Sequence, residues 1–205
     1  MTTIASITLG DDPSRWRDAG FFVHADGHCT VGSVRLLFEP AAGAGITSWT
    51  LAGAPDESVD DVDGLPTRHG DPFPSWGPAD HAISAVRLDH LVVTTPDLDR
   101  TCAAVERTLG LPLKRVRDGE SPAGAVRQGF FRMGEVILEV VGPVDPRPDG
   151  GPARFWGLAV VVADLAGAFD LLGEARMSLP KPAVQPGRFI SRLRSEGVPV
   201  ALMAT

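Results

Sequence analysis

Along residues 86–141 the spacing of apolar positions switches between the period of a strand and the period of a helix, and those switches predict one folding unit. Residues 86–95 are a valine-rich run, too short for an ordinary helix and stopped by Pro96, which predicts a strand. Asp97 is placed to cap a helix in which Leu98, Cys102, Val105 and Leu109 form one apolar stripe, and Gly110 with Pro112 ends it. Residues 113–117, 125–132 and 136–141 then read as strands. Met133, Gly134 and Glu135 read as a tight hairpin and residues 118–124 as an open loop. The order is β-α-β-β-β.

The same order recurs on either side. Residues 4–9 are strand-like, Asp11 or Asp12 caps a short helix begun by Pro13 and closed by Gly20, and residues 21–24, 29–31 and 33–39 supply further strands. Residues 155–162 form another strand, Asp164 caps a helix striped by Leu165, Phe169 and Leu172, and strands follow near Ala183 and over 189–194 and 198–203. The pairs GSVRLLFEP with GEVILEVVGP and VVADL with TTPDL support an internal repeat. The expected division is a degenerate N-terminal module over 1–54, which includes one extra strand carrying Trp49, a linker rich in proline, glycine and acids over 55–85, a central module over 86–143, and a C-terminal module over 153–205 that pairs with the central one. An alternative for the linker is a flap using Phe73, Trp76, His69 or His81.

Alternation selects two side chains. If Leu91 and Val93 face the helix, His90 lies on the other face of its strand; if Leu138 and Val140 face it, Glu139 lies on that same other face. An imidazole and a carboxylate on an apolar surface are costly to bury unless paired, hydrogen-bonded or metal-bound.

The LDHLVV opening, the TPDLDR turn and the GEVILEVVGP ending resemble one module of the vicinal oxygen chelate superfamily, which includes glyoxalases, methylmalonyl-CoA epimerases, extradiol dioxygenases and bleomycin-resistance proteins. The resemblance implies an α+β fold of repeated modules whose curved mixed sheets surround a cleft. It also implies a divalent metal (zinc, nickel, manganese, cobalt or iron) with ligands at His90 and Glu139. The flanking modules place Leu37, Gly157 and Ala201 at such positions, so the ligand set is incomplete. A two-fold axis joining two central modules would complete it in a homodimer; the competing arrangement is a monomer in which the C-terminal module takes that edge.

Composition narrows the partners. The 205 residues are 43% hydrophobic with net charge −7 and no lysine-arginine run, which argues against a nucleic-acid surface. No apolar run approaches about 20 residues, and the N-terminus lacks a signal-peptide pattern, so the expectation is a cytoplasmic protein without membrane association. Cys29 and Cys102 form no CxxC arrangement.

Two functions follow. In one, a small molecule with an acidic C–H next to a carbonyl meets His90 and Glu139, as metal ligands or as an acid-base pair, giving lyase or isomerase chemistry. In the other, the chain binds or sequesters a small molecule without metal or turnover. Trp156, Phe131, Phe155, Trp49 and Phe130 are the aromatic candidates for the pocket. Either Arg127 or Gln128, which lie in the third strand between Val126 and Gly129, anchors a carboxylate or carbonyl.

Overall fold

The computed structural model describes residues 1–72, 79–121, 124–147, 149–194 and 197–204. Its elements are β1 (Thr3–Leu9), α1 (Pro13–Asp18), β2 (His28–Val31), β3 (Val34–Phe38), β4 (Ile46–Ala52), β5 (Asp61–Val62), β6 (Leu65–His69), β7 (Ala85–Thr94), α2 (Leu98–Leu109), β8 (Arg115–Ser121), β9 (Gly124–Met133), β10 (Val136–Pro143), β11 (Arg154–Val162), α3 (Leu165–Arg176), β12 (Lys181–Pro182), β13 (Phe189–Arg192) and β14 (Val200–Ala204). They fall into two compact units. The first takes residues 1–5, 48–72 and 90–156; the second takes 6–47, the described residues of 73–89, and 157–205.

In the first unit the strand order β8-β9-β10-β7 is mixed: β10 runs parallel to β7 and antiparallel to β9, which is antiparallel to β8. Helix α2 starts where the Asp97 carboxylate accepts the Arg100 N–H at 3.0 Å and stops where Gly110 turns left-handed at φ 63°. Its Leu98, Cys102, Val105 and Leu109 are buried, as are Leu91, Val93, Leu138 and Val140 on the strands. Gly129 makes the close approach of helix and sheet feasible, because a Cβ there would lie 2.8 Å from the Cys102 sulfur. Gly129 therefore faces α2, which settles the strand phase around it.

A further set of strands in this unit, β4-β6-β5, takes β5 and β6 from the stretch read from sequence as linker and β4 from the extra strand expected to carry Trp49. The signal for it is Asp63-Gly64 between Val62 and Leu65, a two-residue turn in which both central residues have positive φ, 54° and 91°. The expected open loop over 118–124 is also shorter than read. Strands β8 and β9 stay paired to Ser121 opposite Gly124, since a twisted two-strand ribbon tolerates polar residues on both faces.

The second unit holds β2-β3-β1, with β1 parallel to β3, and β11-β14-β13-β12, with β11 parallel to β14. Asp12 caps α1, and Asp11 is buried, accepting the Trp16 indole N–H at 3.0 Å and the Val198 N–H. Residues 21–24, expected as a strand, form none. The Phe21 N–H goes to the Trp16 carbonyl and the Phe22 N–H to the His81 ring, so neither enters a ladder. In α3, Gly173 leaves helical geometry at φ 67° and the chain continues to Arg176.

Candidate functional site

Register in the first unit brings His90 and Glu139 onto one sheet face. Ile137 pairs with His90, Glu139 with Val92 and Val141 with Thr94, and paired residues project to the same side. This is the face away from α2, and His90, Val92, Ile137, Glu139 and Val141 are half-buried on it. Glu139 is thus one strand over and two residues along from His90, roughly 8 Å between Cα atoms on standard strand spacing and rise. Both side chains are long enough to meet over that gap.

The neighbouring strands extend the face. Phe130 pairs with Glu139, Gln128 with Val141, Arg115 with Phe130 and Arg117 with Gln128. A hydrogen-bonded chain runs across them. Arg117 donates from Nε at 3.0 Å and from Nη2 at 2.6 Å to the Gln128 carbonyl oxygen, and Gln128 donates its amide N–H to Glu139 Oε1 at 2.5 Å. Arginine has only donors, so its position fixes which end of the amide is oxygen and turns the nitrogen toward the carboxylate. The Arg117 guanidinium also lies over the Phe130 ring, 5.6 Å from its centroid.

Of the residues proposed from sequence, Gln128 and Glu139 are hydrogen-bonded and His90 shares their face of the sheet. Arg127 and Phe131 do not join them. Arg127 has the phase of Gly129, on the α2 side, where it donates to Asp118 at 2.9 Å, and that pairing holds its pKa above the usual arginine value. Phe131 is 1% exposed in the core behind the sheet. Trp156 is 48% exposed in β11, while its neighbour Phe155 packs edge-on against Trp49 at 5.3 Å. Arg117 is the site residue that sequence reading missed. It lies two residues beyond Arg115 on a polar strand whose phase only the pairing with β9 reveals.

The flap candidates divide. Phe73 and Trp76 lie outside the described residues. His69 has its Nε2 2.6 Å from the Val59 carbonyl. His81 is buried; its Nδ1 accepts the Phe22 N–H and its Nε2 donates to the Thr30 carbonyl, both at 2.9 Å, so the ring is neutral and structural. Burial pushes the His81 pKa below the ordinary imidazole value, against smaller raising effects from Thr30 and Asp80. Burial also lowers His28, stacked on His24 at 4.2 Å, despite its contact with Asp26.

A histidine with a depressed folded-state pKa takes up its proton more readily in the unfolded chain. Its stabilising contribution is therefore full above about pH 6.5 and is lost as pH falls below that value toward the folded pKa. Thermal unfolding at pH 7 and pH 5 is expected to show a lower midpoint at pH 5, with a smaller drop in His81→Gln. Equal drops in the two proteins would show that His81 is not the titrating group.

The thiols are not candidate nucleophiles: burial pushes both Cys29 and Cys102 up to about 12.

Comparison with known proteins fits this architecture. The family model described as Glyoxalase/Bleomycin resistance protein/Dioxygenase superfamily matches residues 87–200. The chain belongs to this superfamily. Its fold is the glyoxalase-like α+β fold with mixed sheets, as the resemblance implied. A triple mutant of 4-hydroxymandelate synthase from Streptomyces coelicolor aligns over 98% of this chain and 92% of its own, with TM-score 0.68 and 15% identity. A xylose isomerase-like TIM barrel/4-hydroxyphenylpyruvate dioxygenase fusion protein aligns over 98% of this chain and 48% of its own, with TM-score 0.65 and 10% identity. Methylmalonyl-CoA epimerase from Mycobacterium tuberculosis aligns over 63% of this chain and 93% of its own, with TM-score 0.48 and 17% identity. These likenesses concern the fold alone. No curated protein sequence matches the chain.

Superfamily membership raises the question of a resident divalent metal, and the donor set does not fit one. Counting back from the helix caps Asp97 and Asp164, Gly157 holds the position of His90 and Ala159 that of Val92; Ala201 pairs with Ala159 as Glu139 pairs with Val92. Those equivalents carry no ligand atoms. In the remaining module β3 reads Val-Arg-Leu-Leu-Phe and offers none either. Among the described residues no group of three or more His, Cys, Asp and Glu is placed to hold a metal. Gln128 turns its amide nitrogen, not its oxygen, toward Glu139, and the Arg117 cation stands behind it. Donor N–H groups and a guanidinium favour an anion there over a cation. No helix of the described residues is long and apolar enough to cross a membrane.

Proposed function

We propose that the chain binds a small organic molecule on the His90–Glu139 face and acts on a C–H bond next to a carbonyl by acid-base chemistry of those two residues, the lyase or isomerase class of reaction. The observation that supports this reading is their shared face, one strand and two residues apart, with one oxygen of Glu139 held by Gln128. An imidazole, as a residue type, accepts and returns a proton at neutral pH. His90 takes the proton as the C–H bond breaks, and the electron pair moves to the carbonyl oxygen as an enolate. Glu139 orients the imidazole and steadies its charge. Returning the proton to either side of the enolate gives isomerisation; loss of a leaving group from the adjacent carbon gives elimination.

The test is solvent exchange with 2-oxobutanoate, whose C3 protons are activated by the carbonyl. In D2O, deuterium incorporation above the buffer rate is expected for the native chain, at the buffer rate in His90→Ala, and much reduced in Glu139→Gln. Metal analysis after purification without chelator is expected to find no stoichiometric divalent ion. One ion per chain, lost in both variants, would overturn the metal-free reading. Exchange at the buffer rate with ligand binding intact would leave sequestration, which the half-buried apolar side chains of the same face also suit.

A further inference from the structure

Four arginines of the described structure sit beside carboxylates. Arg87 and Arg188 meet Asp89, Arg100 meets Asp63 and Arg127 meets Asp118, each within ion-pair distance. Arg117 is held differently. Its Nε and Nη2 converge on a neutral amide oxygen, its face rests on Phe130, and among the described residues it meets no carboxylate. A half-buried guanidinium oriented by a neutral acceptor keeps its full charge while losing most of its freedom to turn. This is how a protein prepares an anion site, since a carboxylate in place of Gln128 would cancel the charge that the ligand needs.

The surroundings define the rest of the ligand. Val92, Val126, Phe130, Ile137 and Val141 share the face by register and give it an apolar floor. Glu139, the acid of this face, lies one amide group beyond Arg117. A ligand carboxylate is repelled from that end and attracted to the Arg117 end, which sets the direction of binding.

Resting on the reading that this face binds a small molecule, we infer that its ligand is a small carboxylate with an apolar body, its charge received by Arg117 and its reacting carbons laid toward Glu139 and His90. Gln128 is the positioning residue that orients the cation and the acid at once. It accepts from the first and donates to the second, so its amide cannot flip without breaking both contacts.

Calorimetric titration of the full chain with 3-phenylpropanoate and with its neutral counterpart 3-phenylpropanamide tests this. The acid is expected to bind at least about tenfold tighter than the amide, as a charge-assisted contact requires. Arg117→Met, which keeps the apolar stem, should remove that preference and leave amide binding in place. Arg117→Lys, with the charge but not the planar fork, should fall between. Arg127→Met makes the same change of net charge on the opposite face and should preserve the native preference. Equal binding of acid and amide, survival of the preference in Arg117→Met, or its loss in Arg127→Met would each overturn the inference while the small-molecule reading stood. Failure of both compounds to bind would sink the two together. Circular dichroism of each variant separates loss of the contact from loss of the fold.

Discussion

Replacing Trp49 by alanine is expected to cost about 3–5 kcal/mol of stability, the range for deleting a fully buried large aromatic side chain. Trp49 is 0% exposed. Its indole N–H donates to the Thr67 hydroxyl at 2.7 Å, and that hydroxyl passes its own proton to the Leu65 carbonyl at 2.8 Å. The ring meets Phe155 edge-on. Alanine at this point leaves a hole that β4 and β6, hydrogen-bonded in register, cannot close without breaking their ladder. Trp49→Phe should cost much less, because Thr67 keeps its bond to Leu65 and most of the ring volume is retained. Chemical denaturation followed by circular dichroism gives the comparison without relying on tryptophan emission. A loss below about 1 kcal/mol for Trp49→Ala would mean that the core relaxes around the cavity, contrary to the close packing of interiors.

Helix α2 and the two strands that carry His90 and Glu139 were legible because each satisfies several local rules together. The stripe Leu98, Cys102, Val105, Leu109 lies between a capping aspartate and a left-handed glycine, and alternation along Leu91, Val93, Leu138 and Val140 fixes which face is covered. The choice between Arg127 and Gln128 was not legible. It turns on whether Gly129 faces the helix, and that depends on a contact with the Cys102 sulfur that no local pattern encodes. The chain from Arg117 through Gln128 to Glu139 crosses three strands, so it follows from register and not from periodicity. Strand β5 has two residues, too few to show a period at all. It lies in an acid-rich stretch that composition assigns to a linker, and only the Asp63-Gly64 turn marks it.

That turn carries the second large effect. Asp63→Ala is expected to destabilise the chain by about 3 kcal/mol, from two causes. The first is the clamp on α2. Arg100 Nε lies 2.9 Å from Asp63 Oδ1, Arg100 Nη2 donates to Oδ2 at 3.2 Å, and the buried Thr101 hydroxyl donates to the same oxygen. The Asp63 side chain is 13% exposed and that of Arg100 33%, so the pair is partly screened, and the loss is nearer that of hydrogen bonds to a charged group, about 2 kcal/mol, than that of a fully buried ion pair. The second is the backbone. Asp63 adopts φ 54°, which aspartate and asparagine tolerate and alanine resists by about 1 kcal/mol. The two causes separate by substitution. Asp63→Asn keeps the turn and one acceptor oxygen and should lose least. Asp63→Gly keeps the turn without the clamp and should lose more, and Asp63→Ala, which lacks both, should lose most. Because α2 packs on the reverse of the face that bears His90 and Glu139, the same order should appear in ligand binding by that face, at temperatures where the variants are folded. An alanine variant as stable as the asparagine one would show that the carboxylate does not hold the helix.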